Sequence, residues 1–139
     1  LVQVSVRDIS DRKAQEREVL QQRHRLETVL SREGLGYWDW NLLTNAVYFS
    51  ERWKTMLGYD PDELTDSFDT FAGLVHPEDM PAVETAINEY LAGQRETYEV
   101  KVRMKQKNGR WRKIISKGVA EYNDEGAPVF LTGTHQYAG

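Results

Sequence analysis

Residues 10–33, "SDRKAQEREVLQQRHRLETVLSRE", hold no Gly or Pro and are rich in Arg, Gln, Glu and Leu, residues that lose little side-chain freedom in a helix. The pattern predicts one helix of more than twenty residues, capped at its start by Asp8 or Ser10 and ended by Gly34. Its 3-4 spaced positions read Ile9, Arg12, Glu16, Val19, Arg23, Leu26, Leu30 and Glu33, apolar at only half of them. That is a weak seam. Either Leu26, Val29 and Leu30 pack on the chain's own domain, or two copies pair in parallel through Val19, Leu26 and Leu30.

After Gly34 the period changes from 3.6 to 2. "GYWDWN" puts Trp38 and Trp40 on one face and Tyr37, Asp39 and Asn41 on the other, "LLTN" turns, and "AVYFS" returns, which reads as a hairpin. Ser50 then caps a short helix over "ERWKTMLGY" that ends at Gly58. "DPDEL" reads as a further cap and turn, and "SFDTFAGLV" as a second short helix. From Met80 onward, Val83, Ala86, Ile87, Tyr90 and Leu91 share one helix face. Asp79 is the expected N-cap, Pro81 fits the first turn, and "HPED" is the turn that feeds the helix.

The remainder alternates as strands. "TYEVKVRM" sets Tyr98, Val100, Val102 and Met104 against Glu99, Lys101 and Arg103; an Asn-Gly turn leads to "WRKIISKGVAEY"; "NDEG" turns into "PVFLTGTHQY". Five strands with interspersed helices make an α+β domain.

At 139 residues there is room for one ordinary domain and an appended helix. No run approaches the roughly 18–20 apolar residues of a membrane span, so this segment is not expected to insert directly into a membrane. The chain has no cysteine, which removes disulfides, zinc-thiolate sites and thiol nucleophiles and agrees with a cytoplasmic location, any anchor of a parent protein lying elsewhere. The net charge of −4 is unevenly spread. Residues 34–94 carry two basic and eleven acidic groups, and residues 95–139 nine and five. Acidic helices beside a basic hairpin of the same fold explain this better than nucleic-acid binding, which the central carboxylates would oppose.

Four stretches, "GYWDWN", "YFSERWKTMLGY", "LVHPEDM" and "KNGRWRKI", occur in this order within residues 34–134, and together they resemble a PAS domain with its PAC segment. "VSVRDISDRKAQE" likewise resembles the closing strand and Asp-Ile-Ser/Thr ending of a preceding PAS domain. The resemblance divides the chain into the end of an upstream PAS domain at 1–9, a linker helix at 10–33 and a PAS/PAC sensor domain at 34–139. After "GTHQ", where the family repeats that ending, this chain has Tyr137, Ala138 and Gly139. The resemblance implies a PAS fold, a five-stranded antiparallel sheet with a pocket between its concave face and the short helices. It also implies a sensory module in a bacterial signal-transduction protein, such as a histidine kinase of a two-component system or a diguanylate cyclase or phosphodiesterase. The module would sense a small ligand or relay a signal through the linker helix; the alternative is a structural dimerisation module with no ligand.

Candidate chemistry is sparse. Trp38, Trp40, Tyr48, Phe49, Trp53 and Tyr98 either line a pocket for a flat ligand or simply fill the core. His76 has no partner histidines near it in the pattern, since His24 and His135 fall in the linker helix and last strand, so a turn role is favoured over a metal or haem ligand. A cysteine-linked chromophore is excluded by composition, no motif indicates haem or flavin, and the cofactor stays unknown. Of the basic hairpin residues Lys101, Arg103, Lys105, Lys107, Arg110, Arg112 and Lys113, alternation puts the first three on the solvent side of their strand, where Lys and Arg are ordinary, and no nucleic-acid partner is expected. Without a paired nucleophile and base or a phosphate loop, the fragment is expected to be non-catalytic. A homodimer is expected, through residues 10–33 or the PAS core.

Overall fold

A computed structural model describes residues 6–138, with side chains from Asp11 onward. The linker helix, α1, runs Val6–Arg32. It starts earlier than the pattern suggested, so Asp8 and Ser10 lie inside it and not at its cap. Val6 and Arg7, expected in the closing strand of a preceding domain, are its first residues; residues 1–5 of that strand lie outside the described residues, as does Gly139. Its C-terminal end closes as expected, with Gly34 N–H donating to the Ser31 carbonyl (3.0 Å) and Leu35 N–H to that of Leu30 (2.8 Å).

The hairpin follows as β1 (Gly36–Asn41) and β2 (Val47–Phe49), then the helices α2 (Glu51–Thr55), α3 (Phe68–Leu74) and α4 (Met80–Leu91), with a single 3-10 turn at Pro61–Glu63. Strands β3 (Tyr98–Lys105), β4 (Trp111–Tyr122) and β5 (Pro128–Tyr137) complete one five-stranded antiparallel sheet in the order β2-β1-β5-β4-β3. The first and last strands in sequence are therefore central neighbours, and α2, α3 and α4 form the crossover between the two edges.

Local chemistry sets each short helix. Ser50 and Ser67 cap α2 and α3, accepting from Trp53 N–H (3.3 Å) and Thr70 N–H (3.2 Å). Helix α2 can lie against β1 because Gly36 has no side chain: a Cβ there would sit 2.6 Å from Trp53 Cα. Val83, Ala86 and Ile87 of α4 are buried against Val102, Met104, Ile114 and Leu131 of the sheet, in one core with Trp53 and Leu57.

The "HPED" turn is joined to β3. His76 N–H donates to the Arg103 carbonyl (2.8 Å), His76 Nδ1 accepts from Glu78 N–H (3.1 Å), and the imidazole lies 4.6 Å from the Trp111 ring. This is a turn role for His76. Asp79 stands at the N-cap position but makes no side-chain capping bond. Its carboxylate instead accepts from Arg103: backbone N–H (2.8 Å) and Nε (3.0 Å) on Oδ2, and Nη2 (2.8 Å) on Oδ1. The guanidinium fork outcompetes the helix end because it supplies charge-assisted bonds to both oxygens. These bonds hold the Asp79 carboxyl down at about 2.

A pH dependence follows. Because the folded value lies below the ordinary carboxylate value of 3.8, the stabilisation is present above about pH 4 and lost as pH falls toward 2. Asp79→Ala should lower stability by about 1–2 kcal/mol at pH 7, solvent screening of the partly exposed Arg103 moderating the loss. The gap to wild type should close between pH 4 and pH 2 in acid-unfolding curves. A gap that persists at pH 2 would show that the carboxylate charge is not what matters.

The basic hairpin is partly neutralised from within. Arg103 pairs with Asp79 and Glu78, and Lys107 with Glu63 at 2.6 Å, so the acidic middle of the chain and the basic end meet across the fold.

Candidate functional site

Strand alternation turns Trp38 and Trp40 toward the helices. With Phe49 of β2, Trp53 of α2 and Tyr98 of β3 they line one cavity of about 30 Å³ on the inner face of the sheet. Tyr48 does not join them. Being one residue from Phe49, it points to the other face, where its ring meets Tyr37 at 6.1 Å and carries the Arg23 guanidinium at 4.5 Å. Helix α3 contributes Phe68 and Phe71 to the cavity wall, and β4 and β5 contribute Ser116 and His135. The pattern on β5, Leu131-x-Gly133-x-His135, carried the signal for His135, but only the register that pairs it with both Gly36 and Ser116 puts it beneath the rings.

The cavity is small because its own aromatics fill it. Phe49 and Trp53 stack at 3.7 Å and 11°, and Trp40 stacks on Phe68 at 5.0 Å. Trp38 lies over a floor made by the cross-strand pair Gly118 and Gly133. A Cβ at Gly118 would come within 2.9 Å of the Trp38 ring, and one at Gly133 within 2.6 Å. A space of this size holds roughly two waters. A haem or flavin ring system, which calls for a pocket of several hundred Å³, does not fit this packing.

The site is also electrically quiet. His135 is 2% exposed and burial pushes its imidazole down to about 3, so it is neutral at ordinary pH. Burial raises the Tyr98 phenol. The indole N–H groups of Trp38 and Trp53 are buried without hydrogen-bond partners. The lining contains no carboxylate, lysine or arginine, so the arrangement packs neutral surface and offers no acid-base pair for catalysis.

The inner rings are tied to the outer face through β1 and β2. Ser50 Oγ accepts from both Tyr37 N–H (2.9 Å) and Trp53 N–H (3.3 Å), linking a strand to the helix that carries the most buried ring. On the outer face, burial raises the Tyr37 phenol to about 12, and burial with the Glu27 carboxylate beside it raises that of Tyr48 further. Arg23 and Glu27 belong to α1. The hairpin thus touches the core with one set of side chains and the linker helix with the other.

Comparison with known proteins bears on what such a fold is for. The family model for the PAS fold matches residues 46–135, well over half of the chain. The chain belongs to the PAS family. A sensory box histidine kinase/response regulator from Burkholderia thailandensis has a structure 33% identical to this PAS domain, with a TM-score of 0.69, covering 82% of this chain and 84% of that one. The N-terminal domain of a diguanylate cyclase with PAS/PAC sensor from Marinobacter aquaeolei is 22% identical, TM-score 0.64, covering 74% and 94%. The domain of a putative light and redox sensing histidine kinase from Haloarcula marismortui is 19% identical, TM-score 0.64, covering 76% and 90%. No curated protein matches the chain. This PAS domain is a sensory signal-transduction module and not an enzyme. Among the described residues no helix is long and apolar enough to cross a membrane.

Proposed function

We propose that this PAS domain is a relay within a multidomain sensor histidine kinase or diguanylate cyclase, acting through α1 as a parallel dimer. The observation that carries the reading is the distribution of side chains around α1. Arg23, Glu27 and Leu30 are its partly buried positions, whereas Leu26 is 45% exposed and Val29 61%, so neither packs on its own domain. Val19 is exposed as well. Val19, Gln22, Leu26 and Val29 follow 3-4-3 spacing along one stripe, a short seam for a second copy, with Val29 taking the place first assigned to Leu30. Gln22 weakens that seam, which favours two packings of similar energy that a signal can tip.

The smallness of the core cavity favours a second reading, a dimerisation module with no ligand in its core. Sedimentation of the full chain tests the shared part of both. Wild type should be dimeric at high micromolar concentration, and a Leu26→Asp, Val29→Asp variant monomeric. A wild type that remains monomeric, or a variant that stays dimeric, removes α1 as the contact. A metabolite that raises the melting temperature of wild type with its concentration, and shifts the resonances of the rings around His135, rules out the ligand-free reading.

A further inference from the structure

Strand β2 makes two kinds of contact with three residues. Val47 and Phe49 line the aromatic cavity, and Phe49 stacks on Trp53 at 3.7 Å. Tyr48 between them points outward, where the Arg23 guanidinium lies over its ring at 4.5 Å and the Glu27 carboxylate stands beside its phenol. Between Asp11 and Arg32 the partly buried positions of α1 are Arg23, Glu27 and Leu30, so two of the three meet this one side chain. The apolar residues Val19, Leu20, Leu26 and Val29 lie in solvent and add little to the docking. A helix held by its polar face is unusual, since amphipathic helices ordinarily bury the apolar one.

The parts of a release mechanism are all present. Strand β2 is a sheet edge, paired with β1 alone through Trp38–Phe49, Asp39–Tyr48 and Trp40–Val47, and a short edge strand belongs to the least stable part of a fold. Cation–π and phenol–carboxylate contacts at a partly exposed site are individually weak, which keeps docked and free positions of α1 close in energy. At Gly34, with φ +79°, a Cβ would meet nothing within 4 Å, so the turn that ends α1 has room to swing. Arg23 precedes that turn by about 16 Å of helix at 1.5 Å per residue, and the grip on Tyr48 therefore acts on a long arm. We infer that Tyr48 is a latch, through which β2 docks α1 while Phe49 is stacked in the core and releases it, pivoting at Gly34, when the packing around Phe49 shifts. The inference rests on the reading of α1 as the relay and supplies its regulation. It also explains why one three-residue strand serves both the cavity and the linker helix: strand alternation converts a movement on the inner face into one on the outer.

The test uses the full chain, which has no cysteine of its own. Arg17→Cys on α1 and Asp124→Cys on the turn between β4 and β5, both exposed, carry two nitroxide labels. Double electron–electron resonance in an excess of unlabelled chain then reads the distance within one chain, dimeric or not. Without further substitution the distance should be single and narrow. Tyr48→Ala should move most of the population away from it, whereas Tyr48→Phe, which keeps a ring under Arg23, should hold it. Phe49→Leu, acting on the inner face, should at least double the width of the distribution, and Val47→Ala is the milder inner-face variant should Phe49→Leu fail to fold. Val119→Ala, exposed on β4, should change nothing. The inference is overturned if Tyr48→Ala leaves α1 at the original distance, if Tyr48→Phe releases it as fully as Tyr48→Ala, if the inner-face variants lower the melting temperature without moving α1, or if Val119→Ala moves it as well. The same shifts should recur with Leu26→Asp and Val29→Asp in place, so a failed dimer and a failed latch are told apart.

Discussion

Gly133→Ala should cost about 3 kcal/mol or more, the upper end of what overpacking a core exacts, and is expected to have the largest effect of any single methyl added to this protein. A Cβ at this position overlaps the Lys117 carbonyl oxygen, comes to 2.6 Å from the Trp38 ring and to 2.8 Å from Gly118 Cα. Two of those three neighbours are backbone, which cannot swing aside as a flexible side chain can. Relief requires either separating β4 from β5 or driving Trp38 off its floor into a cavity already filled by Phe49, Trp53 and Tyr98. Urea unfolding should therefore show a much lower midpoint with little change in slope. Gly73→Ala is the control: it lies within α3 with nothing within 4 Å of the added atom, and it should raise stability by about 0.5–1 kcal/mol through helix propensity. A Gly133→Ala protein as stable as wild type would mean that Trp38 does not rest on this glycine pair.

His135 should make the domain lose stability in mild acid. Its imidazole is buried among Trp38, Trp53 and Phe71, with ring centroids at 6.3, 5.4 and 5.7 Å, and burial lowers it to about 3 from the ordinary 6.5. The folded protein thus resists a proton that the unfolded chain accepts. Stability is complete above pH 6.5 and declines by about 1.4 kcal/mol per pH unit below it, until the folded value is reached. The contribution of Asp79 is constant above about pH 4 and changes only below it, so the window from 6.5 to 4.5 isolates the histidine. His135→Leu should flatten the stability curve across that window, whatever its effect at pH 7. If the variant keeps the wild-type slope, the proton is taken up elsewhere.

Several features of this protein were written in local pattern. The apolar face of α4 is legible because a 3.6 period over twelve residues admits one buried side. The alternation of Tyr98, Val102 and Met104 is legible because a strand packed on one face repeats every two residues. Ser50 acts as the expected cap because that role depends only on the next three residues. Together with the order of its motifs, these were enough to specify the α+β class, the five strands and the PAS family.

What remained depended on groups far apart in the chain. Parity put Trp38 and Trp40 on one face, but only the helices crossing from β2 to β3 decide that this face is the inner one and that Tyr48 lies outside it. Asp79 had the spacing of a cap, yet Arg103, twenty-four residues later, takes its carboxylate because β3 runs alongside the turn. His135 looked like a lone histidine in a strand until the pairing of β5 with β1 and β4 placed it under three rings. The linker helix shows the limit most plainly: its composition assured a helix, while which of its faces meets the domain is a matter of docking. Periodicity reports that two sides of an element differ. Which side meets a partner is decided by shape and charge that come together only when distant segments fold against one another.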